Sequence, residues 1–339
     1  MTPKTIDSDA HVIEIPFTWE FMTKAELKHA PFSVVQDGGT EYWVVDNRLH
    51  PKNSNIGANT SADQREMRDL DSRLRHMDEL EVDVQVLYPT LMLRPCTQNR
   101  STELAMCKSY NRWLAEVWKK GQGRLRWVAM PPLLSMDTLR DELCFAKDNG
   151  ACGIFMRGVE HEKRLSSTDL FPLYEIATEL NLAICIHAGT NSTAIHDLYE
   201  GEVGFSRFKL PVVGTFHSLL MDETPAQFPK LRWGFVEVSA QWVPYALNDL
   251  RLRFQKLGRP IPDNIMAENR MYVACQTTDD LPVIVRDAGE DNLVIGTDYG
   301  HNDTSSQIEA LRMLRSEGSV PEGIVDKILG ENARALYGL

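Results

Sequence analysis

Nowhere in the 339 residues do 18 consecutive apolar side chains occur, which excludes a membrane-spanning helix. Positive charge is also scarce. The 36 Lys and Arg are outnumbered by 48 Asp and Glu, and the net charge of −12 argues against a nucleic-acid partner, because phosphate binding needs a basic surface. Six cysteines, at positions 96, 107, 144, 152, 185 and 275, show neither a CxxC pair nor the spacing of a disulfide framework. They read as reduced core thiols of a cytoplasmic protein. The opening stretch MTPKTIDSDAHVIE lacks the apolar run of a signal peptide. There is no low-complexity tract, no domain boundary within 1–339 and no flavin or nucleotide fingerprint. Any redox chemistry would therefore draw electrons from an external donor.

What is present is alternation. Short β-branched runs of strand length recur between longer amphipathic stretches. The runs are KTIDSDA (4–10), VDVQVLY (82–88), RLRWVAM (124–130), CGIFMRG (152–158), LAICIH (182–187), LRWGFVE (231–237), RMYVAC (270–275) and NLVIGTD (292–298). A helical pattern follows each, as in 102–120, where Leu104, Met106, Tyr110, Leu114 and Val117 recur at helical intervals. Near-continuous apolar strands are buried on both faces, and eight βα units favour a (β/α)8 barrel. A doubly wound open sheet is the alternative that periodicity leaves open. Two insertions interrupt the pattern. Residues 12–62 contain alternating runs joined around Gly38-Gly39, a hairpin signal, and end in a polar stretch (50–64) expected to be a mobile loop. Residues 188–210 form a long loop after the fifth strand, on the face where barrel sites are built.

Polar residues stand at the strand ends. Asp9 and His11 close the first strand, and their i, i+2 spacing puts both side chains on one face. His187 ends the fifth strand, Glu237 the sixth and Asp298 the eighth. A rim histidine or a helix N-cap explains each one alone. Together they gather carboxylates at one face, which is costly unless a cation compensates.

In this order the motifs resemble the amidohydrolase superfamily, most closely its amidohydrolase-2 branch, which includes aminocarboxymuconate semialdehyde decarboxylase. Supporting stretches are HMDELEVDVQVLYPT (76–90), YNRWLAEV (110–117), FPKLRWGFVE (228–237), GTDYGH (296–301) and ILGENARALYGL (328–339). The resemblance implies a distorted (β/α)8 barrel holding one or two divalent metals, with Asp9, His11, His187 and Asp298 at the family's metal positions. Two strand ends depart from it. Glu237 stands where decarboxylases of this branch usually carry His. The fourth strand ends in FMRGVEHE, with neither Lys nor Glu at its tip, so that Arg157 follows the apolar run and Glu160 and His161 come just beyond.

A carboxylate in place of an imidazole adds negative charge and can bridge two cations. With Glu160, His217 and His301 as further candidate ligands or proton carriers, the set suffices for two metals. His196, in the long loop, reads as a surface residue. Iron suits imidazole and carboxylate donors best, with zinc or manganese as alternatives. The Glu-bearing pattern resembles the dinuclear iron oxygenases of the superfamily. O2-dependent hydroxylation of a small apolar or aromatic metabolite is therefore expected, with an external reductant and Glu237 or Glu160 as bridge. The alternatives are a Zn/Mn-dependent hydrolase, with Asp298 or His301 as proton acceptor, and a non-oxidative decarboxylase, with Arg157 on the substrate anion. A barrel that only binds is the remaining class. Trp19, Phe205, Trp242 and Tyr299 are candidate pocket walls, and a homodimer is expected.

Overall fold

The computed structural model describes residues 5–52 and 54–339. Lys4, at the head of the first strand run, and Asn53, in the polar stretch, lie outside the described residues. The strands are β1 (Ile6–His11), β2 (Phe32–Val35), β3 (Glu41–Val45), β4 (Arg48–Pro51), β5 (Val84–Tyr88), β6 (Leu125–Ala129) and β7 (Ala151–Arg157). They continue with β8 (Val159–Glu160), β9 (Lys163–Arg164), β10 (Ala183–His187), β11 (Trp233–Val236), β12 (Met271–Cys275) and β13 (Leu293–Ile295). All eight expected runs become parallel neighbours in the order β1-β5-β6-β7-β10-β11-β12-β13, a (β/α)8 barrel.

The seam between β13 and β1 closes partly through side chains. His11 N donates to Tyr299 O and Asp298 N to Asp9 O, each at 2.9 Å. Below them, the Asp7 carboxylate accepts from Thr297 N at 2.9 Å and from Gln85 Nε2 at 2.9 Å. Gln85 Oε1 in turn takes Arg73 Nε at 2.7 Å, and the Arg73 guanidinium lies 3.4 Å over the Tyr299 ring. A buried polar chain thus joins first strand to last. It fixes Asp9, His11 and Asp298 side by side.

Outside the barrel, the helix Arg100–Lys120 starts where Asn99 Oδ1 accepts from Ser101 N and Thr102 N. This cap satisfies two of the helix's orphan donors. Its buried stripe includes Met106, Tyr110, Leu114 and Val117, as the spacing predicts. Five of the six cysteines are buried and all are free thiols.

The first insertion is a three-stranded antiparallel sheet rather than a simple hairpin. Gly38 and Gly39, with φ of 102° and 86°, turn β2 into β3. Asp46 and Asn47, with φ of 44° and 64°, turn β3 into β4. The second turn is hard to read because it has two non-glycine residues in the left-handed region, which only Asn and Asp adopt readily. Nor is the polar stretch a detached loop. Gly57 N donates to Gly300 O at 2.9 Å, and a Cβ on Gly57 would lie 2.4 Å from His301 O. The long loop carries a short helix, Thr193–Leu198, capped by Ser192. Among the described residues no helix is long and apolar enough to cross a membrane.

Candidate metal centre

Six side chains from four strand ends converge under the C-terminal rim of the barrel. Asp9, His11, His187 and Glu237 form one group whose donor atoms all lie within 4.8 Å of one another. His11, Glu237, Asp298 and His301 form a second. The groups share His11 and Glu237, and all six residues are buried. The parallel register puts these strand tips at one level, and β1's i, i+2 spacing aims Asp9 and His11 together. Glu237 and Asp298 have φ of 63° and 51°. A non-glycine residue in this region is uncommon, and such strain collects at functional sites.

The imidazoles are fixed from behind. His11 Nδ1 lies 3.0 Å from Pro89 O and His187 Nδ1 lies 2.9 Å from Ala188 O. A carbonyl can only accept, so both Nδ1 atoms carry protons and both Nε2 atoms point inward, 3.1 Å apart. Two facing lone pairs repel unless a proton or a cation sits between them. This arrangement, Nδ1 on a carbonyl and Nε2 free, is that of a metal-ligating histidine. His301 Nε2 lies 2.9 Å from Thr90 Oγ1, whose hydroxyl donates to Val12 O at 2.8 Å, so the ring nitrogen is the donor in that contact. His301 Nδ1 then faces Asp298 Oδ1 at 2.8 Å.

Three atoms remain orphaned. Glu237 Oε2, Asp298 Oδ1 and His301 Nδ1 are buried with no hydrogen-bond partner among the described residues, although each lies close to another member of the cluster. Buried polar groups are rarely left so, and a cation would satisfy all three together.

The charges tell the same story. Burial pushes the Glu237 carboxyl well above its usual range and the Asp298 carboxyl up to about 6. Burial would raise Asp9 too, but the His187 charge and its hydrogen bond hold it well below the usual carboxylate range. Burial and the His301 charge push His11 down to about 3. Against burial, the Glu237 and Asp9 carboxylates hold His187 well above the usual imidazole range, and Asp298 raises His301. Six titratable groups in one dry space can balance their charge only by taking up protons or by holding cations. The donors are carboxylate and imidazole with no cysteine among them, a set that fits divalent iron, manganese or zinc.

The fold contradicts three expectations from the sequence, those for Glu160, Arg157 and His217. Glu160 belongs to neither group. Its Oε1 takes Arg157 N at 2.7 Å and Arg157 Nε at 2.9 Å, and its Oε2 takes Arg157 Nη2 at 2.7 Å and Asn191 Nδ2 at 3.0 Å. Arg157 is equally committed, because its Nη1 donates to Met92 O at 2.7 Å. It is a buried structural partner and not a free anion receptor. His217 sits on the outer helix Leu210–Met221, half-buried, 2.8 Å from Asp249 on the neighbouring helix Val243–Leu257.

A cavity of about 540 Å³ opens from Glu237 and His301 toward the inserted sheet. Of the four expected walls, none lines it. Trp242 packs on Phe216 at 5.0 Å, Trp19 on Trp43 at 6.1 Å, Tyr299 lies under Arg73, and Phe205 is exposed. The apolar walls instead include Ile13, Trp43, Ile56, Leu91, Leu93 and Phe208. Glu14, Thr90 and Ser306 escaped the sequence reading. Glu14 accepts from Thr90 N at 3.0 Å and Leu91 N at 2.9 Å, and Ser306 Oγ donates to Asp298 Oδ2. Thr90 closes the motif VLYPT and was within reach. Glu14 and Ser306 carry no local signal.

A family profile described as Amidohydrolase (Amidohydro_2) matches residues 6–339. An amidohydrolase of Mycobacterium avium subsp. paratuberculosis is 18% identical with a TM-score of 0.81, each chain covered in full (100%). The 5-carboxyvanillate decarboxylase of Novosphingobium aromaticivorans, solved with manganese and 4-hydroxy-3-methoxy-5-nitrobenzoic acid, is 16% identical with a TM-score of 0.71, covering 99% of this chain and 96% of that one. The 4-oxalomesaconate hydratase of Rhodopseudomonas palustris is 17% identical with a TM-score of 0.66, covering 98% and 95%. At these identities the likeness to the solved structures is one of fold. The profile, spanning all but the first five residues, shows more: the chain belongs to the amidohydrolase family.

Proposed function

We propose that this chain is a two-metal enzyme that oxidises a small apolar or aromatic metabolite with dioxygen, iron being the metal its donors suit best. The observation that supports the reading is six candidate donors in two overlapping groups, of which the shared Glu237 carboxylate can bridge two ions while the shared His11, with one free nitrogen, can serve only one. One catalytic Lewis-acid ion needs about three protein ligands and an open position. Six donors exceed that need. Asp9, His11 and His187 make a two-histidine, one-carboxylate set, the ligand type of non-heme iron oxygenases. Three carboxylates offset most of the charge of two divalent ions.

When bound, ferrous iron supplies the reduction of dioxygen, so that RH, O2, two electrons and two protons give ROH and water, the electrons coming from an external reductant. The protein's own part is placement. The Pro89 and Ala188 carbonyls hold the two imidazoles, and Ser306 holds Asp298. Leu91, Leu93, Ile13 and Phe208 dry the cavity beside the cluster. His301, between Thr90 and Asp298, is placed to carry a proton.

A second reading rests on a different observation. The solved neighbours are named for redox-neutral reactions, decarboxylation and hydration. In that reading the Asp298–His301 pair takes a proton from a polarised water, or returns one to a carbanion. Oxygen uptake separates the two. Ferrous protein with reductant and an apolar acid panel is expected to consume oxygen. Glu237→Gln should weaken the second ion by at least the roughly 10–100-fold cost of losing an outer partner, and abolish the uptake. Turnover without oxygen, unaffected by reductant, would overturn the oxygenase reading in favour of the redox-neutral one.

A further inference from the structure

Besides Glu237 and His301 of the metal cluster, the same cavity is lined by Arg94, Arg207, His50 and His196. They arrive from four separate segments. Arg94 follows β5, His50 belongs to β4, His196 to the helix Thr193–Leu198 and Arg207 to the turn Phe205–Lys209. Each senses its neighbours: Arg207 acts on Arg94, Arg94 on His50, and both arginines on His196. Two guanidinium charges beside two imidazoles in one cavity are costly unless an anion compensates.

Several of their polar atoms are unspent, although Arg207 Nη2 donates to Glu202 O at 3.3 Å. Arg94 Nε, Arg207 Nε and His50 Nε2 are buried with no hydrogen-bond partner among the described residues. The acids that line the cavity are occupied elsewhere or stand in solvent. Glu14 accepts the Thr90 and Leu91 amides, and Glu202 accepts those of Gly204, Phe205 and Ser206. Asp303 takes Ser305 N and Asn55 Nδ2, and Glu200 is exposed. Lys52 is satisfied by Glu41. Among the described residues no carboxylate oxygen lies within 4 Å of Arg94, Arg207 or His50, although the Glu14 charge reaches Arg94, whereas His196 has Asp197 at 3.4 Å. Three orphaned buried donors on cationic or titratable side chains are expensive, and an anion accepting from all of them removes the expense.

We infer that Arg94, Arg207 and His50 form an oxyanion subsite, and that the substrate carries a carboxylate or phosphate held there while its apolar part faces the metal centre. The proposal takes the metal cluster as the reacting end of the cavity and so rests on the reading above. Burial and the Arg94 charge push His50 down to about 4, so in the free protein this imidazole donates through one nitrogen only. The lining Phe208 ring, 4.8 Å from the Arg207 guanidinium, holds that side chain in place.

Binding of inorganic phosphate and of acetate to the metal-loaded protein tests this, read by quenching of the cavity tryptophan Trp43 and by 31P line width. At least one anion should bind, and Arg94→Met and Arg207→Met should each weaken it roughly tenfold, the size of one charge-assisted hydrogen bond. Arg94→Lys should recover part of the loss. Stronger acetate binding assigns a carboxylate-bearing substrate, and stronger phosphate binding a phosphorylated one. Anion bound only at the metals would persist in both Met variants, and that result overturns the subsite while leaving the metal centre standing. Loss of metal content with anion binding intact would instead strike the metal reading. Arg207 is half-exposed, so its variant keeps the test valid if Arg94→Met fails to fold.

Discussion

Glu160 is the buried counter-ion of Arg157, 2.7 Å away. Both of its oxygens are spent on Arg157 and Asn191, and both partners are buried. Removing one member of a buried pair strands the other, which costs about 3–5 kcal/mol. Glu160→Ala should therefore lower unfolding stability by about that amount while leaving metal content unchanged. Denaturant titration beside elemental analysis checks both halves, and metal loss at unchanged stability would return Glu160 to the site. Glu14 offers a pH test. Burial raises its carboxyl from 4.5 to about 7 in the fold, although the Thr90 and Leu91 amides oppose the shift. The folded protein then binds more protons than the unfolded chain between those values. Its contribution to stability is fully present below pH 4.5 and is lost as pH rises through about 7. Wild type should lose on the order of 3 kcal/mol relative to Glu14→Gln across that window. A flat difference would mean that the carboxyl is ionised throughout.

At the scale of elements, the site depends on how β13 meets β1. Gly296 follows β13, and a Cβ there would lie 2.3 Å from Asp9 Cβ and 2.8 Å from Asp9 N. Neither neighbour can yield, since Asp9 O already accepts Asp298 N and the strand is buried. Gly296→Ala should cost about 1–3 kcal/mol by overpacking and should weaken metal binding as well, because the displaced residue is a ligand candidate. The same substitution at Gly323, with nothing near its Cβ, serves as the control. Equal metal affinity in both variants would mean that the seam does not position the cluster.

For the whole molecule, three buried carboxylates placed together make the metal-free protein electrostatically strained. A ligand that binds only the folded state at 100 times its dissociation constant adds about 2.7 kcal/mol. Chelation should thus lower the melting temperature by on the order of 5 °C. Asp298→Ala should shrink that difference and raise the melting point of the chelated protein above that of chelated wild type. Calorimetry with and without chelator decides. Identical melting points in both states would argue that protons, not metal ions, balance the cluster.

The barrel and the strand ends were legible in the chain alone, because both are written in local periodicity. Apolar runs of strand length must be buried on two faces, and the i, i+2 geometry of β1 turns Asp9 and His11 the same way whatever surrounds them. His187, Glu237 and Asp298 were legible for the same reason, as polar residues closing apolar strands. Folding settled the rest, through contacts between distant segments. It set His301 against Asp298 and stacked it 3.8 Å from His11, and it took Glu160 out of the site by giving it Arg157. It moved His217 to the outer helices and drew Arg94, His50 and Arg207 to one cavity across the inserted sheet and the long loop. Those outcomes depend on where loops return, and a loop's path follows from the contacts it finds and not from its period.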